Sequence, residues 1–327
     1  MSLPPVLQNR LALPVVGSPM FIVSNPELVS AQCQAGIVGS FPALNARPQS
    51  VLKDWIVQIK ESNAAHNEAH PDRPAAPFAV NQICHATNER LFGDMETCVE
   101  QEVPIIITSL RPPAELVEAA HSYGGVVFHD VINDRHARKA AEQGVDGLIL
   151  VCAGAGGHAG TTSPFALVRE VKEWFDGTIL LSGCISDGFS VAGAIAMGAD
   201  LAYVGTRFIA SKEANANERY KQMIIDATSA DIAYTNLFSG VHGSYLKESI
   251  RACGFDPDNL PEGDKSTMDF GSGGNTDVKA WVDILSAGQG VGTIHDAPPV
   301  AEIVARMTKE YDEACGRLSS PATLKAA

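Results

Sequence analysis

One pattern constrains this chain more than any other: a short apolar run, a Gly-rich or polar turn, then a stretch of helical character, repeated from end to end. The runs are 14–17 (PVVG), 37–41 (IVGSF), 77–81 (PFAVN), 104–108 (PIIIT), 125–129 (GVVFH), 146–151 (DGLILV), 178–182 (TILLS) and 200–204 (DLAYV), eight in all. They are nearly continuous in apolar residues rather than alternating, which suits parallel strands covered on both faces. The helical stretches AQCQAG, AEQG and AIAMG each end in Gly just before the next run. Gly there accepts the left-handed backbone that terminates a helix. Eight βα units within 227 residues favour a closed (β/α)8 TIM barrel over an open sheet.

The repeat lapses after residue 227. Residues 228–297 are rich in Gly, Asp, Asn and Ser and include DPDNLPEGDKSTMDFGSGGNTD. The expectation is a barrel over 1–227 and a long insertion with short helices over 228–297, capping the active-site mouth. A C-terminal helix within 298–327, PPVAEIVARMTKEYDEACGRL, then returns to the barrel. The polar tract 62–76 (SNAAHNEAHPDRPAA) is expected to be an exposed loop.

Composition removes several function classes. A net charge of −14 argues against nucleic acid as a partner. No apolar run approaches the roughly 18 residues of a membrane span, and the first residues lack the basic-then-apolar pattern of a secretory leader. The seven cysteines are scattered, with no C-x-x-C pair. That suits a reducing, cytoplasmic setting, and no Cys/His pair has the spacing of a metal site.

The stretch CAGAGGHAG at 152–160 fits a dinucleotide fingerprint as Gly154-x-Gly156-x-x-Ala159. That fingerprint should follow an early strand, open a helix at its third small residue and precede an acid after the next strand. Here it follows the sixth run, the next helix starts only near Ser163-Pro164, and TILLS leads into Ser182-Gly183 without a carboxylate. It is better placed as a loop at the C-terminal end of a barrel strand, where barrel enzymes keep their active sites. Barrels also bind phosphate on the loops after strands seven and eight. Those loops are Ser182-Gly183-Cys184-Ile185-Ser186-Asp187-Gly188 and Gly205-Thr206-Arg207-Phe208. Their glycines let backbone N–H groups approach an anion, and Thr206 adds a hydroxyl. Asp187 also fits an ordinary helix N-cap.

These motifs carry a resemblance. GSPM at the first run, VN at the third, AGGHAG after the sixth, SGCISDG after the seventh, GTRF after the eighth and the late W-x6-GQG (Trp281 to Gly290) stand in the order seen in the nitronate monooxygenase family. The resemblance spans roughly residues 11–295. It implies FMN across the barrel mouth, with its phosphate on Gly183, Cys184, Gly205 and Thr206 and with Ser182 also among the cofactor-binding residues. Relatives usually carry a second Gly where this chain has Cys184. The flavin ring would meet Ser18, Pro19, Met20 and Asn81, with Gly156 and Gln289 nearby. Some flavin relatives carry Lys after the fifth-strand His; here Asp130 follows His129, so no cationic flavin contact is expected at that point.

The resemblance makes His158 the catalytic residue, as a base or as a partner for the nitro group. His158 sits on a loop of small residues at the active face, and imidazole exchanges protons near neutral pH. His242 and Tyr245 are equally open to a place over the substrate and to a structural role. The implied activity is oxidation of an alkyl nitronate, or of a nitroalkane, with O2 to a carbonyl compound and nitrite. Three other readings stand beside it: an FMN-dependent NAD(P)H:quinone or enoyl-thioester reductase, a non-redox barrel binding a phosphorylated metabolite, and a non-enzymatic flavin-binding subunit. The oligomeric state stays open, a homo-oligomer included.

Overall fold

A computed structural model describes residues 3–111, 114–263 and 282–319. Trp281, and residues 264–277 of the Gly- and Asp-rich tract, lie outside the described residues. All eight apolar runs are strands: β1 (Val15–Gly17), β2 (Gly39–Pro42), β3 (Phe78–Cys84), β4 (Ile105–Leu110), β5 (Val126–Val131), β6 (Gly147–Val151), β8 (Thr178–Ser182) and β9 (Leu201–Val204). A further short strand, β7 (Gly157–His158), lies in the loop after β6. The eight long strands pair in parallel in the order β1-β9-β8-β6-β5-β4-β3-β2. The two ends of that sheet also meet. Val16 bridges Val38, and Gly17 N–H donates to Val38 O at 2.7 Å, so the barrel is closed.

The continuity of the apolar runs follows from this closure. Side chains alternate across a strand with a period of two, and here both faces are dry. Ile105 and Ile107 point into the barrel with Val16, Val38, Phe128, Ile149, Leu180 and Leu201, while Ile106, Leu148, Leu150 and Ile179 point outward into the larger strand–helix core. Burying one such side chain contributes about 1.5–3 kcal/mol. Leu7, from the N-terminal turn Pro5–Leu7, belongs to the interior cluster too.

The outer helices are α1 (Pro26–Gln34), α2 (Val51–Ala69), α3 (Leu91–Glu100), α4 (Ala114–His121), α5 (Asp134–Ala141), α6 (Pro164–Lys172) and α7 (Gly188–Met197). Asn25, Asn133 and Asp187 cap α1, α5 and α7 through their side chains. The bland reading of Asp187 is therefore realised. Ser163 stands at the N-cap of α6 as expected, although its hydroxyl makes no capping bond. The expected helix-ending glycines, Gly36, Gly144 and Gly198, all have positive φ.

One expectation is corrected. Residues 62–69 are not loop but the last two turns of α2. The three Ala residues and Glu68 favour helix even though the stretch looks polar. Ser62 is tied to α1 by the Gln34 amide at 2.9 Å, and only 70–76 leave the helix.

After β9 come α8 (Thr206–Ile209) and α9 (Glu218–Asp226). The late insertion then adds β10 (Ile232–Thr235), β11 (Gly243–Leu246) and α10 (Lys247–Ala252). β11 pairs antiparallel with both β10 and β7, so this segment seizes the loop after β6. It has its own small core of Ala233, Phe238, Tyr245, Ile250 and Ile284. The last helix, α11 (Val300–Ser319), packs back on α7 and α1. Among the described residues no helix is long and apolar enough to cross a membrane, and no group of His, Cys, Asp or Glu is arranged to hold a metal ion.

Candidate active site

The C-terminal ends of the barrel strands surround a cleft of about 760 Å³, open mouth included. Of the residues singled out from the sequence, Ser18, Pro19 and Met20 line it from the loop after β1, and Gly156 from the loop after β6. Ser182, Gly183 and Cys184 line it after β8, and Gly205 and Thr206 after β9. No charged side chain is among the described residues that line it.

Backbone approach is built in by sequence. Gly183 has φ 135°, and a Cβ on it would stand 2.9 Å from Ala153 O. A Cβ on Gly205 would stand 2.6 Å from Ser18 Oγ. Cys184 explains why a second glycine suits this turn: its φ is 56°, in the left-handed region, at a cost of about 1–2 kcal/mol for an L-residue. Its exposed side chain lies over Gly154, where any Cβ would collide with Sγ.

Two features extend this cradle. Thr206 Oγ1 accepts from Gly288 N–H at 2.9 Å, which leaves the hydroxyl proton to donate. Ser286 also lines the cleft, and its buried Oγ has no hydrogen-bond partner among the described residues. A buried hydroxyl without a partner is costly unless a ligand supplies one. Glycine turns, hydroxyl donors and the absence of carboxylates among the described lining residues together fit the phosphate of a flavin mononucleotide.

The loop after β6 is braced from three sides. Gly160 N–H donates to Val151 O, Gln289 N–H to Gly154 O at 2.8 Å, and Ala159 N–H to His242 O at 3.3 Å. Gln289 itself is exposed and acts here through its backbone. No helix begins at Ala159; β7 pairs with β11 instead, through Gly157↔Ser244 and His158↔Gly243. The dinucleotide-fingerprint geometry is absent.

His158 stands beside the cleft rather than among the residues lining it, with Gly157 between. Its Nε2 lies 2.9 Å from Ser239 Oγ, and Ser239 donates its own proton to Val241 O at 2.9 Å. The Ser239 hydroxyl thereby fixes the orientation of the imidazole ring. Burial pushes the imidazole pKa down to about 4, so the ring is neutral at physiological pH.

Tyr245 is fully buried, edge-on to Phe238, with its hydroxyl 3.2 Å from Ser239 Oγ. It supports the His158 partner and does not line the cleft. His242 stacks on Tyr234 with ring centroids 5.2 Å apart, and the Tyr234 hydroxyl donates to Ala159 O at 2.7 Å.

Asn81 does not line the cleft either. It sits inside the barrel mouth, donating to Ile107 O at 3.2 Å and to Ser109 Oγ at 2.9 Å. Sequence reasoning missed Ser286, Tyr203 and Tyr220, all of which line the cleft. The period-two pattern of β9 could have flagged Tyr203. Nothing local marks Ser286 or Tyr220, which are joined by a bond from the Tyr220 hydroxyl to Ser286 O.

The profile of the family described as nitronate monooxygenase matches residues 7–310. A nitronate monooxygenase of Paraburkholderia phytofirmans is 24% identical over an alignment covering 93% of this chain and 94% of that protein. One from Neurospora crassa is 28% identical, covering 91% and 89%. The solved structure of FabK from Thermotoga maritima superposes with a TM-score of 0.75 at 23% identity, over 96% of each chain, which shows the shared fold. With a barrel closed in this order and a family match over nearly its whole length, the chain belongs to the nitronate monooxygenase family of flavin-dependent oxidoreductases.

Proposed function

We propose that this chain is an FMN-dependent nitronate monooxygenase, which oxidises alkyl nitronates, and nitroalkanes through them, with O2 to carbonyl compounds and nitrite. The observation that carries the reading is a glycine-built cleft whose described lining residues carry no charge, flanked by an imidazole held neutral. In this reading Ser182, Gly183, Cys184, Gly205 and Thr206 hold the FMN phosphate, joined by Ser286, and Ser18, Pro19 and Met20 flank the ring. FMN, when bound, supplies the electron-accepting and oxygen-reactive chemistry.

The chain's own part is positioning and proton transfer. Ser239 orients the His158 ring, and that imidazole takes the α-proton of a neutral nitroalkane. A preformed nitronate has already lost that proton and needs only to be oriented. The described residues of the 228–297 segment serve as the substrate-side cap, since β11 holds the His158 backbone. Scattered unpaired cysteines support a reducing, cytoplasmic site of action.

The purified protein is expected to be yellow and to release FMN, not FAD, on denaturation, as read by mass spectrometry. Anaerobic mixing with an alkyl nitronate should bleach the flavin, whereas NADH should not. Bleaching by NADH alone would replace this reading with the reductase one.

A further inference from the structure

The seven cysteines are not alike. Cys33, Cys84, Cys98 and Cys152 are buried, Cys253 and Cys315 are half-buried, and Cys184 is exposed. Cys184 is also the one cysteine among the described residues that line the cleft. Its thiol reaches over the loop after β6. A Cβ on Gly154 would collide with Cys184 Sγ and stand 3.1 Å from Gln289 Oε1, and a Cβ on Gly290 would stand 3.3 Å from Cys184 Cα. The thiol is therefore set where the turn after β8, the Gly154 loop and the 286–290 segment converge. Its polar contact there is weak, Ala153 O at 3.9 Å.

Ser286 independently marks the same ground as a place for a ligand. It is 9% exposed, it lines the cleft with Cys184, and its Oγ has no hydrogen-bond partner among the described residues. A buried hydroxyl in that state calls for an external partner. A molecule that supplies one enters a cleft with the Cys184 thiol in its wall.

We propose that Cys184 is a reversible thiol-modification site inside the cofactor cradle, and that its modification by a low-molecular-weight disulfide such as glutathione disulfide and the binding of cofactor exclude each other. The proposal rests on the reading of this turn as the FMN phosphate site. Burial raises the thiol pKa, so access rather than activation selects this cysteine. In the exchange Cys184 Sγ, as thiolate, attacks one sulfur of the disulfide. The old S–S bond breaks, a mixed disulfide forms, and the departing thiolate takes the proton that Cys184 gave up. A free thiol reverses the step. The attached tripeptide brings bulk and net negative charge onto the ground where the phosphate sits.

The test compares the flavin-loaded protein with the same preparation after its flavin has been removed and shown to rebind. Both are treated with glutathione disulfide, and the modified cysteines are identified by peptide mass mapping. Cys184 should be modified first in the flavin-free protein. FMN at about ten times its Kd should slow that modification about tenfold, since only the open cradle reacts. The modified protein should lose FMN binding in a fluorescence titration, and dithiothreitol should restore it. Cys184→Gly, which also relaxes the left-handed turn, should bind FMN equally well before and after disulfide treatment; Cys184→Ser gives the same comparison if the glycine variant does not fold.

Faster modification of Cys253 or Cys315, equal rates with and without FMN, unchanged FMN affinity of the modified protein, or a loss of binding that persists in treated Cys184→Gly each overturns the proposal. A protein that takes up no FMN at all sinks the flavin reading instead. Inorganic phosphate then serves as the protecting probe: protection of Cys184 keeps the thiol site, and its absence overturns that too.

Discussion

At the scale of single residues, the site depends on where side chains are missing as much as on where they are present. Gly205 leaves room between the β9 turn and Ser18, and a Cβ there would come within 2.6 Å of Ser18 Oγ. Gly205→Asp would add both that clash and a negative charge at the phosphate position. Soluble, colourless protein is expected, measured as flavin absorbance per protein; full FMN retention would move the phosphate site elsewhere. His158 separates binding from chemistry. His158→Asn should keep FMN, because the phosphate turns are untouched, and should lose about 10²–10⁴-fold in turnover of neutral nitroalkanes. Preformed nitronate should suffer much less. An equal loss on both substrates, in steady-state kinetics, would mean that His158 binds the nitro group instead of taking a proton.

At the scale of elements, the three-stranded sheet β10-β11-β7 decides whether the loop after β6 is a flexible Gly-rich segment or a fixed one. Gly243 sits where β11 crosses β7, and a Cβ there would lie 2.9 Å from Gly157 O. Gly243→Val should push β7 out of register while leaving the barrel intact. The expected result is a strong fall in kcat with FMN content near wild type and a melting temperature within a few degrees of it. If kcat is unchanged, the pairing of β7 with β11 is not what positions His158. The Gly36, Gly144 and Gly198 helix ends and the Asp187 cap were legible locally because each depends on neighbours within a few residues. The extension of α2 through residue 69 was not: its polar surface hid a helix whose anchor, Gln34, is far away in sequence.

At the scale of the whole molecule, buried titratable groups set the response to acid. His129 is 2% exposed and its pKa falls to about 4 through burial, and His158 falls to about 4 likewise. A folded-state pKa below the unfolded value means full stability above about pH 6.5, lost as pH drops from there toward 4. For His129 alone the loss is on the order of 3 kcal/mol, at 1.36 kcal/mol per unit. Asp130 opposes this, because its raised pKa makes the folded state take up a proton between about 6 and 4. Asp94, raised by burial, acts with Asp130, and His136, lowered by burial, acts with the other two histidines; three histidines against two carboxyls should lower the melting temperature between pH 6.5 and 4. His129→Gln should shrink that fall in a pH series of thermal denaturation. An undiminished fall would assign the acid sensitivity to other groups.

What the sequence alone determined is what local periodicity and turn chemistry encode. The eight buried strands, their parallel order in a barrel, the Gly-ended helices and the glycine turns at Gly183 and Gly205 all follow from short-range pattern. Which side chains meet was decided only by closure of the barrel. Asn81, Ser109 and Asp130 come from three strands whose ends are more than twenty residues apart, and each alone passes for an ordinary strand-end polar residue. Ser286 enters the cleft from a segment with no periodic signal, and Ser239, which orients His158, lies 81 residues from it. The physical reason is that a repeating apolar pattern reports that a residue is buried, whereas its hydrogen-bond partner and its pKa depend on the groups that long-range packing places against it.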